Sequence, residues 1–187
     1  MHKLLTELDE ANAEGHLSIP LVTWSETKNL PYLEAVIKEG VRIHPPLSLP
    51  LERVTPASGL QLNDKHSTYL PGGTVVGINP FVLHRDKRIF GEDAEEWNPD
   101  RWLSAEEKLT KRMENNILTF GAGKRSCLGK NIATLELHKI VPALLMRYEM
   151  EQAEPDKEWT LKNSWLLKQD GLNIRLKYRG EKAPLSQ

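Results

Sequence analysis

Cys127 is the only cysteine in the chain, and it sits in the run FGAGKRSCLG, Phe120 to Gly129. A lone thiol cannot close an internal disulfide, so it is a core residue, a nucleophile or a metal ligand. Gly121 and Gly123 strip the approach to it of side chains, which lets backbone lie close against a flat ligand, and Gly129 extends that past the thiol. After Leu128, residues Ile132, Leu135, Ile140, Leu144 and Leu145 recur at roughly helical spacing, which puts Cys127 at or just before a helix N-terminus. Unpaired amides and the helix dipole favour a thiolate there. Lys124 and Arg125 bring positive charge that a ligand carboxylate can use. A favoured thiolate, a bare backbone and an adjacent cation describe a haem-iron site with an axial sulfur. The alternative is a buried free cysteine in a Gly-rich turn.

Such a loop needs elements to hold it. Leu4, Leu5 and Leu8 among Lys3, Glu7, Asp9 and Glu10 predict an amphipathic helix already under way at the first residue. Asn29 as a cap and Pro31 with its preset φ open a second helix, carrying the stripe Leu33, Val36, Ile37 and Val41. Pro45 and Pro46 end it near His44. On it Glu39 and Arg42 are neighbours, which by itself describes an exposed ion pair of ~0.3 kcal/mol. Leu47 to Val54, with Pro50 inside, reads as an extended edge strand. Short strands near Leu60–Leu62 and Val75–Ile78 follow, then one or two helical turns over Phe81 to Arg88. His44, His66 and His84 lack metal-ligand spacing, and His84 reads as structural. Beyond the cysteine a long helix runs to about Tyr148 with a kink at Pro142, and Lys124, Lys130, Lys139 and Arg147 leave positive charge near the cysteine face. The tail reads as strand Leu161–Leu167, a turn at Gln169-Asp170-Gly171, and strand Leu172–Tyr178.

The spacing F-x-x-G-x-R-x-C-x-G, met by Phe120, Gly123, Arg125, Cys127 and Gly129, resembles the haem-binding signature of the cytochromes P-450, the haem-thiolate monooxygenases. Pro31 to Pro46 resembles their helix K with its E-x-x-R, Glu39 and Arg42, and Trp97-Asn98-Pro99-Asp100-Arg101-Trp102 resembles the meander segment that supplies a third member, Arg101, to a buried charge cluster. The style is most similar to filamentous-fungal microsomal members such as the pisatin demethylase group. The resemblance implies a mainly α fold with small β-sheets, α+β, corresponding to a C-terminal portion of that fold across residues 1–187. Its parts are a helix J-like start, helix K over 30–43, β segments over 47–78, a meander over 90–119, the haem-binding loop over 120–129, helix L over 128–148 and a C-terminal hairpin over 160–178.

The resemblance further implies heme b with iron ligated axially by Cys127, and propionate contacts from Arg53 and Arg125. Glu52 stands before Arg53 where many relatives have proline, so a local carboxylate can occupy Arg53, and a solvated surface arginine is the alternative. Leu47, Ser48 and Leu49, with a hairpin tip at Ser164-Trp165-Leu166, would border the substrate pocket. The implied reaction inserts one oxygen atom from O₂ into a small hydrophobic organic substrate, with electrons from an NADPH-dependent reductase docking on the proximal face, at the cytosolic side of the endoplasmic reticulum membrane. The family's oxygen-activating helix, with an acid and an alcohol in an A-G-x-x-T-like context, has no match before Pro31; Glu26-Thr27 lies in a polar stretch. Two readings result: a monooxygenase, or a truncated and catalytically inactive remnant of one. A protein-interaction domain with an incidental cysteine is a third class, and it predicts no Soret absorption.

The totals agree with a globular chain. Its 187 residues can bury ~70% of their unfolded surface in one core. Lys plus Arg number 25 against 26 Asp plus Glu, a formal charge of -1, which gives no global attraction for nucleic acid. Apolar residues make up 39% and mean hydropathy is -0.49, which excludes a disordered composition. The longest apolar run, Ile140 to Met146, is far short of the ~20 residues that span a bilayer, so no membrane segment is expected.

Overall fold

The computed structural model describes residues 1–164 and 166–180, and it is an α+β arrangement of helices with small antiparallel sheets. Helix α1 (His2–Ala13) buries Leu4, Leu8 and Ala11, a stripe at helical spacing. A reciprocal cap, with the Thr23 N–H donating to Glu26 Oε2 at 2.6 Å, opens the single turn α2 (Trp24–Thr27). Helix α3 (Pro31–Ile43) has Pro31 at its first position, but its cap residue is Leu30 and not Asn29, and Leu30 supplies no side-chain bond. The orphan amides are met from elsewhere: Glu7 of α1 accepts from Tyr32 N–H at 2.7 Å and Leu33 N–H at 2.8 Å. A carboxylate at a helix N-terminus also meets the dipole favourably.

Strands β1 (Leu51–Val54), β2 (Leu60–Gln61), β3 (Tyr69–Leu70) and β4 (Val75–Ile78) make two ladders, β1 with β4 and β2 with β3, and Arg53 stands opposite Val76. Only the second half of the expected Leu47–Val54 strand is paired. Ser48 is buried, and its hydroxyl donates to Pro45 O at 2.9 Å, which folds the first half into a turn. The helical segment expected over Phe81 to Arg88 is two separate turns, α4 (Pro80–Leu83) and α5 (Lys87–Phe90), each opened by a side-chain cap, Asn79 and Asp86. Helices α6 (Arg101–Ser104) and α7 (Glu107–Asn115) lead to the Gly-rich loop, where Gly123–Arg125 forms one 3₁₀ turn.

Helix α8 (Lys130–Arg147) runs through Pro142, and Tyr148 already belongs to β5 (Tyr148–Gln152). Strands β6 (Thr160–Asn163), β7 (Leu167–Asp170) and β8 (Ile174–Tyr178) complete the chain. The tail is not the hairpin expected from its alternation. β6 pairs with β7, with Asn163 opposite Leu167, and β8 pairs with β5 instead. Gly171, at φ +84°, sits in the connection between two different ladders. Alternation reports which face a strand presents, and it carries no information about the partner.

Two apolar clusters hold the elements together, and α3 contributes to both. On one side Leu30 and Leu33 meet Leu4 and Leu8 of α1, Val22, and Leu145 of α8. On the other, Ala35 meets Phe90, Ala94, Trp102 and Met113. The face that α8 turns inward carries His138, Pro142 and Leu145. Of the residues that recur at helical spacing, Leu145 is buried, whereas Ile132, Leu135, Ile140 and Leu144 are exposed with Leu21 along an open groove. No helix among the described residues is long and apolar enough to cross a membrane.

Candidate functional site

The middle of α3 carries a charge cluster in which Glu39 and Arg42 are fully buried and Arg101 nearly so. All five N–H groups of Arg42 are used. Nε and Nη2 donate to the two oxygens of Glu39 at 2.8 Å each, Nη1 donates to the carbonyls of His84 and Ala94 at 2.7 and 2.6 Å, and Nη2 also reaches Glu96 O at 2.9 Å. Arg101 Nε donates to Glu39 Oε1 at 3.1 Å, while its other nitrogens meet Phe90 O and both oxygens of Asp93. Glu39 accepts two more bonds, from Asn98 N–H at 2.8 Å and Trp102 Nε1–H at 3.0 Å. Burial on its own raises the Glu39 pKa, but Arg42, the Asn98 amide and Arg101 together hold it below the usual carboxylate value. Asp93 is also held low, first by the Asn98 side chain and then, against its own desolvation, by Arg101. Two arginines therefore face two carboxylates, and the lone exposed ion pair of the spacing argument is replaced by a balanced, fully bonded network.

The C-terminal end of α3 is tied to the segment that enters the thiol loop. Helix ends leave carbonyls unpaired, and here each finds a distant side chain. Thr119 Oγ1 donates to Val41 O at 2.6 Å, His84 Nδ1 pairs with Arg42 O at 2.9 Å, and Arg85 Nη2 donates to Ile43 O at 2.8 Å. His84 also receives the Leu118 N–H on Nε2 at 2.8 Å. Its burial, reinforced by the charges of Arg42 and Arg85, lowers its pKa to about 4 despite the Arg42 carbonyl bond.

The loop itself is closed by Cys127 N–H donating to Phe120 O at 2.8 Å, with Gly121 N–H on Leu118 O at 2.9 Å and Ser126 N–H on Gly123 O at 3.1 Å inside it. Gly121 at φ +67° and Gly123 at φ +65° take the left-handed conformation that side chains resist. Cys127 is exposed, two residues before Gly129, the cap of α8. Leu128 beside it is fully exposed, and Ile132, one turn into α8, is 64% exposed. An accessible soft donor on a bare loop, flanked by uncovered aliphatic side chains, fits a flat and largely apolar macrocycle held by one sulfur.

Arg53 is exposed, and Nη1 bonds the backbone carbonyl of Glu52 at 2.7 Å, not its carboxylate. It lines a cavity of about 280 Å³ with Val76, Ile78, Leu118 and Ala122, so β1, β4 and the thiol loop do come together. Arg125 is exposed in the 3₁₀ turn and makes no hydrogen bond or ion pair among the described residues, which leaves its guanidinium available. The Leu47–Leu49 turn meets the β6–β7 hairpin: Asn163 Nδ2 donates to Ser48 O at 3.4 Å and Leu167 N–H to Pro46 O at 2.8 Å. Ser164 lies at that tip and Leu49 is exposed, whereas Trp165 falls outside the described residues. Lys130 and Phe120 line a second cavity of about 470 Å³ between α3, α7 and α8, which buries His138 against Glu34 at 2.9 Å. Spacing did not reveal Glu7, Asp93, Trp102 Nε1 or Thr119 as members of this scaffold, while His84, read as structural, is found inside it. Only Trp102 had a local signal, its place beside Arg101.

The Cytochrome P-450 family model matches residues 1–176. Among curated proteins, the chain is 52% identical over 176 residues to cytochrome P-450 monooxygenase cicH of Emericella nidulans, covering 94% of this chain and 34% of that protein. It is 49% identical over 179 residues to cytochrome P-450 monooxygenase pkfB of the same fungus, covering 96% and 34%. Against cytochrome P-450 monooxygenase esdpH of Penicillium shearii it is 44% identical over 179 residues, covering 96% and 35%. The chain thus spans about a third of the length of these relatives.

Proposed function

Because the chain belongs to the cytochrome P-450 family of haem-dependent oxidoreductases, we propose that Cys127 would hold the iron of a heme b through its thiolate, and that the whole protein is a monooxygenase. The observation that carries this reading is the geometry of the loop: an exposed Cys127 ahead of α8, on a turn closed by the Phe120 carbonyl and kept bare by Gly121 and Gly123. When bound, thiolate-ligated haem supplies O₂ activation, because the electron-rich sulfur favours O–O cleavage. The chain's own part is to hold and orient. Phe120, Gly123 and Gly129 shape the turn around the sulfur, Leu128 and Ile132 would offer apolar contact to the macrocycle, and the unpaired guanidinium of Arg125, with the donors of Arg53 not spent on Glu52 O, would meet its carboxylates. Glu39, Arg42 and Arg101 fix the frame on which that turn rests.

For the whole protein we propose insertion of one oxygen atom into a small hydrophobic organic substrate, with electrons from an NADPH-dependent reductase. The cationic residues Lys124, Lys130, Lys139 and Arg147 are suited to an acidic partner surface. The proposed location is the cytosolic face of the endoplasmic reticulum membrane, and Leu47, Leu49 and Ser164 are proposed to border the substrate.

The test is the reduced carbon-monoxide difference spectrum of the haem-loaded protein. The red-shifted Soret band that gives the family its name is expected in the wild type and absent in Cys127→Ala. The same band in Cys127→Ala would overturn the assignment of the sulfur.

A further inference from the structure

The His84 ring joins two things that the sequence keeps far apart, the arginine of the charge cluster and the peptide that leads into the thiol loop. Its side chain is fully buried. The Leu118 N–H can donate only to an unprotonated nitrogen, so Nε2 at 2.8 Å is the acceptor, Nδ1 carries the proton, and Nδ1–H donates to Arg42 O at 2.9 Å. From Leu118 the bonds continue. Its carbonyl takes the Gly121 N–H at 2.9 Å, and two residues on the Phe120 carbonyl takes the Cys127 N–H at 2.8 Å. Thr119, between them, is pinned to Val41 O. Hydrogen bonds joined by short steps of backbone at Leu118 and at the Phe120–Gly121 peptide therefore lead from Arg42 through one imidazole to the residue that bears the sulfur.

We propose that His84 is a positioning residue for Cys127: its neutral ring, as donor on one edge and acceptor on the other, fixes the Leu118 peptide and so sets the direction in which the thiol leaves the loop. This rests on the reading of Cys127 as the haem ligand. A phenyl ring in its place can still face Phe90, whose ring centroid lies 6.3 Å away, but it leaves one buried N–H and one buried carbonyl without partners. A protonated imidazole keeps the donor and loses the acceptor. The charged groups that bear on the ring are Arg42 from α3 and Arg85 from its own turn, both cationic, and both add to burial in keeping it neutral. The neighbouring Leu118–Thr119 segment brings no charge.

The experiment compares wild type, His84→Phe and His84→Gln in the full-length haem-loaded protein, reading amide hydrogen exchange at Leu118, Gly121 and Cys127 together with the reduced carbon-monoxide spectrum as a function of pH. Gln retains one donor and one acceptor at similar reach and does not titrate. His84→Phe is expected to speed exchange at Leu118 and Cys127 roughly tenfold or more, the factor for one lost hydrogen bond of about 1.4 kcal/mol, and to lose the thiolate band to a blue-shifted one. His84→Gln restores both and holds the thiolate band as the pH falls toward 4, where the wild type loses it. Wild-type exchange and an undiminished thiolate band in His84→Phe would overturn the proposal. So would an acid loss in His84→Gln identical to that of wild type, a comparison that stands even where the Phe variant fails to fold. If Cys127→Ala keeps the thiolate band, the ligand assignment fails instead, and the exchange data still decide whether His84 holds the loop.

Discussion

Replacing Arg42 by lysine keeps the charge and removes the geometry, so it separates the two. In the native cluster the guanidinium makes five bonds, two to Glu39 and three to the carbonyls of His84, Ala94 and Glu96, with no solvent access. An ammonium has three N–H groups on one atom and cannot address a carboxylate and three carbonyls arranged around a plane. At least two of the five acceptors are left bare. Each buried, unsatisfied acceptor costs about 1–3 kcal/mol, and disrupting one partner of a buried ion pair costs about 3–5 kcal/mol. Arg42→Lys is therefore expected to lower stability by about 3–5 kcal/mol, a large share of the ~5–15 kcal/mol of a typical domain. Equilibrium urea unfolding reads this as a fall in midpoint at unchanged slope. A loss under ~1 kcal/mol would mean that charge alone holds the cluster, and the five-bond account would be wrong.

Three further perturbations follow from the same contacts. The folded chain keeps His84 neutral down to about pH 4, whereas the unfolded chain takes up the proton near 6.5. Stability should therefore be flat above that window and fall by up to roughly 3 kcal/mol as pH drops through it, a step that urea midpoints across pH would reveal and that His84→Gln would lack. Glu7→Ala uncovers the amides of Tyr32 and Leu33 and should cost about 1–2 kcal/mol, although the residue lies on a different helix from the one it caps; thermal unfolding is sufficient to see it. Thr119→Val is nearly isosteric and deletes only the bond to Val41 O, so a loss of about 1–2 kcal/mol, against none for an exposed threonine such as Thr160→Val, isolates that hydroxyl.

The sequence disclosed most where the physics is local. Pro31, Pro45 and Pro46 bracket α3, and the glycines at 121 and 123 announce a loop that needs left-handed backbone. The spacing of Glu39 and Arg42 places them side by side on any helix. It does not say whether they are buried, because burial is decided by Ala94, Phe90 and Trp102, which lie far along the chain beyond the helix. Long-range caps are invisible for the same reason. Glu7 looked like the polar face of an amphipathic helix, and Asn29 looked like a cap, because capping rules consider only the few residues beside a terminus. The tail failed on partner choice: Gly171 is a turn signal, but the strand after it finds β5, twenty-six residues back, and not the strand before it. The spacing in α8 announced the helix but not its inner side, since a helix with apolar residues on several faces offers little moment from which to choose one.

Helix α3 also acts as a ruler. Its first amides are claimed by Glu7, its middle by Arg101 and Trp102, and its last carbonyls by Thr119, His84 and Arg85. Inserting a single residue anywhere between Leu33 and Glu39 would advance everything beyond it by about 1.5 Å and rotate it by about 100°. No relaxation could then satisfy both ends at once, because the partners at the two ends sit on separate, independently packed elements. The distance in residues from Leu33 to Ile43 is thus fixed by matter outside the helix, and changes in length that other helices absorb at their frayed ends have nowhere to go in this one.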